Sequence, residues 1–494
     1  LNPFKKLLSD TAIYGVSSIV GRFLNWWLVP YYSFMFLPEE YGVVTNMYAY
    51  VAFLLVLLTY GMETSYFRFA SKSQQPEKVY STSMISLFFT TFSFVLLAAV
   101  FRSELAGLIQ YPNHPEYILW FAIILGIDAF TAIPFARLRL NNRPVKFAVI
   151  KLVNIGFNIG FNLFFISLCP RLISQNPESV VSLIYSPDIG VGYVFISNLL
   201  ASLVTLILLL PEIFRISLSF DKKVLQQMLS YGFPILIVGL TGMVNQNIDK
   251  VLIPFLVPAE QDPMFQLGIY GANYKLAVLM NMFIQAFRYA FEPFFFAREG
   301  SKDDPKVYAA ILKYFVVFGL LIFLGMTLFI DVIKVIVDSQ YHQGLKVVPI
   351  ILMANLFYGM YFTLSLWYKL TDKTRFGAYM ALTGAAITLG LNILLLPLMG
   401  YMGSAIAVFV CFLVMLVISY LLGQKHYPIP YNTKRIVSYF IVALILFSVS
   451  FFTRNYIPIL KYFLHCVFVI LFLLTVFKFE KSELRTLIKR KKRP

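Results

Sequence analysis

Fourteen times along the chain about twenty consecutive residues are mostly apolar, and this recurrence constrains the fold more than any single motif. A helix rises about 1.5 Å per residue, so roughly 20 apolar residues match a hydrocarbon core about 30 Å thick. The stretches fall at residues 11–36, 42–62, 80–101, 117–138, 145–168, 189–210, 230–257, 266–292, 309–333, 346–368, 376–397, 401–423, 434–453 and 457–478. In lipid each backbone N–H and C=O needs a partner within its own segment, so these stretches are predicted to be helices. The reading is all-α: a polytopic membrane protein of 14 transmembrane helices. Composition agrees, with 59% hydrophobic and 13% charged residues in 494, where a soluble domain carries about 25% charged. An ordinary soluble enzyme, a disordered tail and a secreted disulfide scaffold are excluded. Cys169, Cys411 and Cys466 lie far apart with no C-x-x-C, so neither a zinc site nor a redox pair is indicated. The first stretch contains Arg22 and lacks a small-residue cleavage site, so a retained helix is expected there instead of a cleaved leader.

Charge sets the topology. Lys and Arg collect on cytoplasmic loops. With the N-terminus inside, 29 of the 41 Lys and Arg fall on inside segments, six on outside segments and six within spans. One missed span would invert every later loop and spoil this asymmetry. Both termini are therefore expected to be cytoplasmic. The net charge of +17 is then mostly topology, and no nucleic-acid partner is expected. The basic tail, Lys489 to Arg493, can also touch anionic headgroups of the membrane lipids.

The chain reads as a duplication. Tyr41-Gly42 precedes Glu63 by the same interval at which Tyr270-Gly271 precedes Glu292. Lys78-Val79-Tyr80 matches Lys306-Val307-Tyr308, Leu28-Val29-Pro30 matches Leu252-Ile253-Pro254, and Asn162 falls opposite Asn392. The offsets stay between 224 and 230 residues. Six spans per copy make the copies parallel, and parallel repeats commonly bind substrate where the halves meet. The expected organisation is a six-helix lobe over 1–222, a second over 223–425, two extra helices over 426–478 and a basic tail over 479–494. The two lobes are expected to surround a central cavity.

Ionisable residues inside spans cost about 2.5–3.5 kcal/mol on insertion scales and so tend to face wet interiors. The candidates are Arg22, Lys151, Lys250, Lys275, Arg288, Glu63, Asp128, Asp249 and Glu292. At about 100° per residue, polar residues align into stripes. Arg22 and Asn25 share a face, as do Lys151, Asn154, Asn158 and Asn162, then Asn245 and Asp249, then Arg288 and Glu292. One reading makes Arg22, Asn25, Asn154, Asn158, Asn245, Lys250 and Arg288 substrate-binding, with Asp128, Asp249, Glu63 and Glu292 for ion coupling. Plainer readings stand beside it. Lys151, Lys275, Glu63 and Glu292 lie near span ends and can snorkel. Arg288 and Glu292 can pair at i, i+4, Asp249 and Lys250 can neutralise each other, and the asparagines can join helices.

Catalytic signatures do not appear: there is no G-x-x-x-x-G-K-[ST], no H-E-x-x-H and no G-x-S-x-G. The longest expected outside loop, about 169–188, is short for holding an acceptor. A transporter is expected and an enzyme is not. Several local words carry a family resemblance: Tyr41-Gly42 after a short acidic loop, Gly61-Met62-Glu63-Thr64-Ser65-Tyr66-Phe67-Arg68-Phe69, Ile133-Pro134-Phe135-Ala136-Arg137-Leu138-Arg139, Ile248-Asp249-Lys250 and Gly268-Ile269-Tyr270. With the duplicated six-helix plan, the chain resembles the polysaccharide flippases of the multidrug/oligosaccharidyl-lipid/polysaccharide exporter superfamily. The resemblance implies two lobes in a V, alternating access, and translocation of an undecaprenyl-pyrophosphate-linked oligosaccharide for surface polysaccharide assembly. It implies cationic cavity residues, a role for Arg22, Lys250 and Arg288, and coupling of Asp128 and Asp249 to a proton or sodium gradient, with no other cofactor. Polysaccharide polymerase machinery is the partner it implies. An organic-cation exporter and a peptidoglycan-precursor flippase are the alternatives on the same fold.

Overall fold

Proline opens helix after helix, because its missing N–H falls where a first turn needs none and its fixed φ suits that turn. In the computed structural model the described residues are 20–21, 23–214, 219–296, 304–365, 367–368, 373, 375–453 and 456–491, with side chains except at 289, 290, 292–296, 304 and 482–491. Their principal helices are α1 (Leu28–Met35), α2 (Pro38–Thr59), α3 (Met62–Ala70), α4 (Pro76–Val100), α5 (Pro115–Leu140), α6 (Pro144–Asn162), α7 (Gly192–Ile213), α8 (Lys222–Leu256), α9 (Pro263–Leu276), α10 (Val278–Phe296), α11 (Asp304–Leu328), α12 (Val348–Leu364), α13 (Arg375–Met399), α14 (Tyr401–His426), α15 (Thr433–Ser450) and α16 (Pro458–Lys491). Proline is the first residue of α2, α4, α5, α6, α9 and α16. No strand occurs among the described residues.

Twelve helices in the described residues are long and apolar enough to cross a membrane. They fall on twelve of the predicted stretches. Of the first stretch, residues 11–19 and Arg22 lie outside the described residues, and the described part ends in α1. The eighth is built as α9 and α10, joined at Ala277 by tight i, i+3 bonds from Ala277 N–H to Tyr274 and from Met280 N–H to Ala277. The second stretch is likewise interrupted. Tyr60 (φ 33°) and Gly61 (φ 72°) take left-handed backbone, which separates α2 from α3. The fifth runs on past its predicted end through a π-helical stretch, Leu163–Leu168, to Gln175.

The described chain divides into two compact units, Leu1–Gly271 with Thr388–Tyr401, and Ala272–Ile387 with Met402–Pro494. In the first unit, Met62, Tyr66, Tyr80, Leu87, Ile133 and Met228 form a core shared by α3, α4, α5 and α8. Asp221 caps α8 by accepting from the N–H groups of Lys223 (2.9 Å) and Val224 (3.2 Å), and it pairs with Lys78 at 2.7 Å. The Lys78 bond and the cap hold its carboxyl below the usual carboxylate range. Two asparagines that the sequence reading sets opposite each other make the same local bond. Asn162 and Asn392 are both fully buried, and each amide donates to the carbonyl four residues earlier at 2.8 Å.

In the second unit Glu480 ties α11 to α15 and α16, and Asp331 ties the segment after α11 to α16. Glu480 accepts hydrogen bonds from Lys313 and Tyr439 and pairs with Arg435 at 3.5 Å. Asp331 accepts from Lys334 (2.8 Å) and from Lys461 of α16. Those two ammonium groups push the Asp331 carboxyl down to about 2. A depressed carboxylate stabilises the fold in full above its ordinary value of 3.8, and that contribution is lost as pH falls through about 2. Hydrogen exchange around residues 330–338, corrected for intrinsic rates, is expected to stay flat from neutral pH down to 3.8 and to rise below it. In Asp331→Asn that step should vanish; a step of unchanged size would remove Asp331 from the account.

Candidate functional site

The polar centre of the first unit grows from a proline. Pro254 lies inside α8, where it has no N–H to give the carbonyl of Lys250. A buried carbonyl without a donor costs free energy, so another group must supply one. Asn46 of α2 does, its amide donating to the Lys250 carbonyl at 2.8 Å. Asn46 is fully buried and in turn accepts from the hydroxyl of Tyr111 at 3.0 Å. Burial pushes the Tyr111 phenol well above its ordinary range, which keeps it a donor.

One turn of side chains on the same helix carries the charges. The Lys250 ammonium lies 3.1 and 3.3 Å from the two Asp249 carboxylate oxygens and 3.0 Å from the Gln246 carbonyl. Tyr270 of α9 donates its hydroxyl to Asp249 at 2.6 Å, and its ring lies 5.7 Å from the same ammonium. Asp249 is 1% exposed and Lys250 9%. Neighbours on a helix point about 100° apart, yet the long Lys250 side chain folds back and pairs with Asp249. Asn245, one turn earlier, is also buried. The arrangement is a desolvated ion pair with a phenolic donor, and such a pair is held only while both charges remain.

A second polar set joins α5, α6 and α7. Asp128 accepts from Ser202 at 2.9 Å. Asn154 directs its amide to the Ala201 carbonyl (3.0 Å) and to Thr205 (2.9 Å), so it bridges α6 to α7. Asn158 accepts from Asn162 at 3.1 Å, and Tyr32 donates to Asn162 at 2.9 Å. Lys151 extends over the Phe135 ring, 4.1 Å from its centre. Glu63 accepts from Arg139 across the α3–α5 contact. Asn25 is exposed. In the second unit Arg288 of α10 lies over the Phe362 ring at 4.1 Å. Arg22 and the side chain of Glu292 lie outside the described residues. Among the described residues no three His, Cys, Asp or Glu side chains gather into a metal site.

Sequence reading passed over Asn46, Tyr111 and Glu212. Glu212 is 2% exposed and is held by Lys146 (2.6 Å), Arg143 (3.4 Å) and Arg137 (3.9 Å). Those cations were counted as loop charges alone. The signal for Asn46 was present: a proline inside a span frees a carbonyl, and a polar residue elsewhere must answer it. Asn46→Leu is expected to lower stability by about 1–3 kcal/mol, since the Lys250 carbonyl loses its donor while remaining buried. Thermal unfolding in detergent measures this, and an unchanged melting temperature would show the bond to be dispensable.

A sequence profile described as polysaccharide biosynthesis protein matches residues 7–298. Comparison with curated protein sequences gives no match. Among solved structures the chain is similar to lipid II flippase MurJ in an inward closed conformation, with a TM-score of 0.72 at 13% identity, over 95% of this chain and 99% of that one. It is similar to an inward-facing multidrug resistance MATE family transporter of the MOP superfamily, with a TM-score of 0.64 at 11% identity, over 84% and 94%. A MOP superfamily transporter from Pyrococcus furiosus gives 0.52 at 13% identity, over 84% and 95%. At these identities the likeness is one of fold. The profile spans more than half of the sequence, and the chain is therefore a multi-pass membrane protein that belongs to the polysaccharide biosynthesis protein family and is built on the fold of MOP-superfamily transporters.

Proposed function

We propose that this protein is a flippase that carries an undecaprenyl-pyrophosphate-linked oligosaccharide from the inner to the outer leaflet of a bacterial cytoplasmic membrane by alternating access. Family membership supports a role in polysaccharide assembly. The observation that carries the mechanism is the buried Asp249–Lys250 pair on a proline-containing membrane helix, with Tyr270 of α9 donating to it. A glycan cannot cross hydrocarbon unaided, because each unpaired hydroxyl there costs several kcal/mol. Polar side chains such as Asn25, Asn158, Asn245 and Tyr270 can replace those bonds. Cations suit the pyrophosphate: Arg288 and Arg22 through planar guanidinium groups, Lys250 as a point charge.

Asp249 and Lys250 give coupling a physical form. While Asp249 is ionised it holds the ammonium. When a proton or sodium ion neutralises Asp249, the ammonium is released toward an anionic substrate. Asp128, Glu63 and Glu292 are further coupling candidates in this reading. An inside-negative potential also favours outward movement of an anion, by about 2.3 kcal/mol per charge per 100 mV. A polymerase acting on the outer side would drain the product, which makes that machinery a natural partner.

Asp249→Asn tests the coupling. Surface glycan display should fall about tenfold, equal to about 1.4 kcal/mol of barrier, and what remains should lose its response to pH or sodium. Display with an unaltered response would discard Asp249 as the coupling residue. Accumulation of a peptidoglycan precursor, or drug sensitivity without glycan build-up, would favour the other transporters of this fold.

A further inference from the structure

The outer faces of α4, α5 and α7 enclose a groove of about 760 Å3 that the transport reading does not use. Its walls include Met84, Phe88, Phe92, Ile127, Phe130 and Leu210. Phe88 stacks on Phe92 (5.9 Å between centres, 15°) and meets Phe130 edge-on (6.1 Å, 67°), so the walls are ordered aromatic surface. The volume lies in the range of about 300–1,000 Å3 that holds small ligands. Along its depth the lining is nearly all apolar, with hydroxyls only from Tyr80, Ser81 and Thr91.

Polarity changes abruptly at one end. There Ser81 accepts from the Ser219 N–H at 2.8 Å and Thr82 accepts from the Asp221 N–H at 3.1 Å, which seats the start of α8 against α4. Lys78 pairs with Asp221, and the next two residues, Lys222 and Lys223, are exposed. Arg137 lies 4.6 Å from the centre of the Tyr80 ring and is bound to Glu77. Four cations flank this mouth: Lys78 pairs with Asp221 and Arg137 with Glu77 and Glu212, while Lys222 and Lys223 stand exposed beside them. We propose that the groove holds an acyl chain of an anionic membrane phospholipid whose phosphate sits at Lys222 and Lys223. An apolar slot that runs along α4 from Tyr80 to Val95, with the exposed Lys222 and Lys223 near one end, matches that molecule in both polarity and charge. The site is separate from the transported substrate and belongs to one unit alone.

The test uses the full-length protein in nanodiscs with phosphatidylglycerol or phosphatidylcholine carrying a photoreactive group on one acyl chain. With phosphatidylglycerol, crosslinks should concentrate on residues 80–95, 123–130 and 206–214, well above those on the lipid-facing stretch 437–449. Ile127→Trp, which fills the groove, should reduce them about fivefold, and Lys222→Gln with Lys223→Gln should erase most of the preference over phosphatidylcholine. If Ile127→Trp does not purify as a folded protein, Ile123→Phe on the same wall replaces it. Three results would overturn the proposal: even labelling of all lipid-facing helices, equal labelling by both lipids, or displacement by polyprenyl phosphate at an equal mole fraction. The last would make the occupant the tail of the transported lipid.

Discussion

Gly268→Ala is expected to lower stability by about 3 kcal/mol, near the top of the usual overpacking range. An alanine Cβ at this position would stand 1.7 Å from the Pro38 carbonyl oxygen, 2.6 Å from its carbon and 3.0 Å from the Gly42 nitrogen. All three are backbone atoms, so no side chain can swing aside. Gly42 faces the same crossing from the other helix, with a Cβ there 2.2 Å from the Met264 carbonyl oxygen. Small residues let membrane helices approach this closely. One glycine lies near the start of α2 and the other in α9, so two helices far apart in the sequence meet here within one unit. Gly160→Ala is the control, since nothing lies within 4 Å of its added Cβ. Melting temperatures in detergent should separate the two variants clearly. Equal values would mean that α2 and α9 do not cross at this distance.

Glu480→Leu should cost about 3–5 kcal/mol. Its carboxylate is 1% exposed and is shared by Lys313, Arg435 and Tyr439. Removing it leaves Lys313, itself 4% exposed, without that counter-charge in a desolvated place. The paired change Lys313→Met with Glu480→Leu should recover most of the loss, because apolar replacements of a buried ion pair are often tolerated. A single variant as stable as the parent would show that the cluster does not hold α15 and α16 to α11.

The spans were legible because a membrane demands length and apolarity together, and few soluble patterns imitate that. Proline, which opens six of the helices, was a start signal left unused, and the offset that pairs Asn162 with Asn392 joins two residues that are both buried. What stayed hidden is partnership across distance. Nothing local links Asn46 to Lys250 or Lys313 to Glu480; only packing of separate helices brings them together. Charges near span ends were read through topology, which is why the cluster around Glu212 was not anticipated. The stripe on α6 shows the opposite limit. Periodicity puts Asn154 and Asn158 on one face, but only coordinates reveal that Asn154 joins α7 and that Asn158 bonds Asn162 within its own helix.

One measurement bears most directly on the central claim that this chain moves lipid-linked glycan between leaflets. Purified protein is reconstituted into liposomes with a polyprenyl-pyrophosphate-linked oligosaccharide, and the fraction reachable by an external glycosidase is followed with time. The account predicts protein-dependent exchange that is reduced by Asp249→Asn and by Lys250→Gln. Exchange no faster than in protein-free liposomes, with the protein shown to be folded, would contradict it.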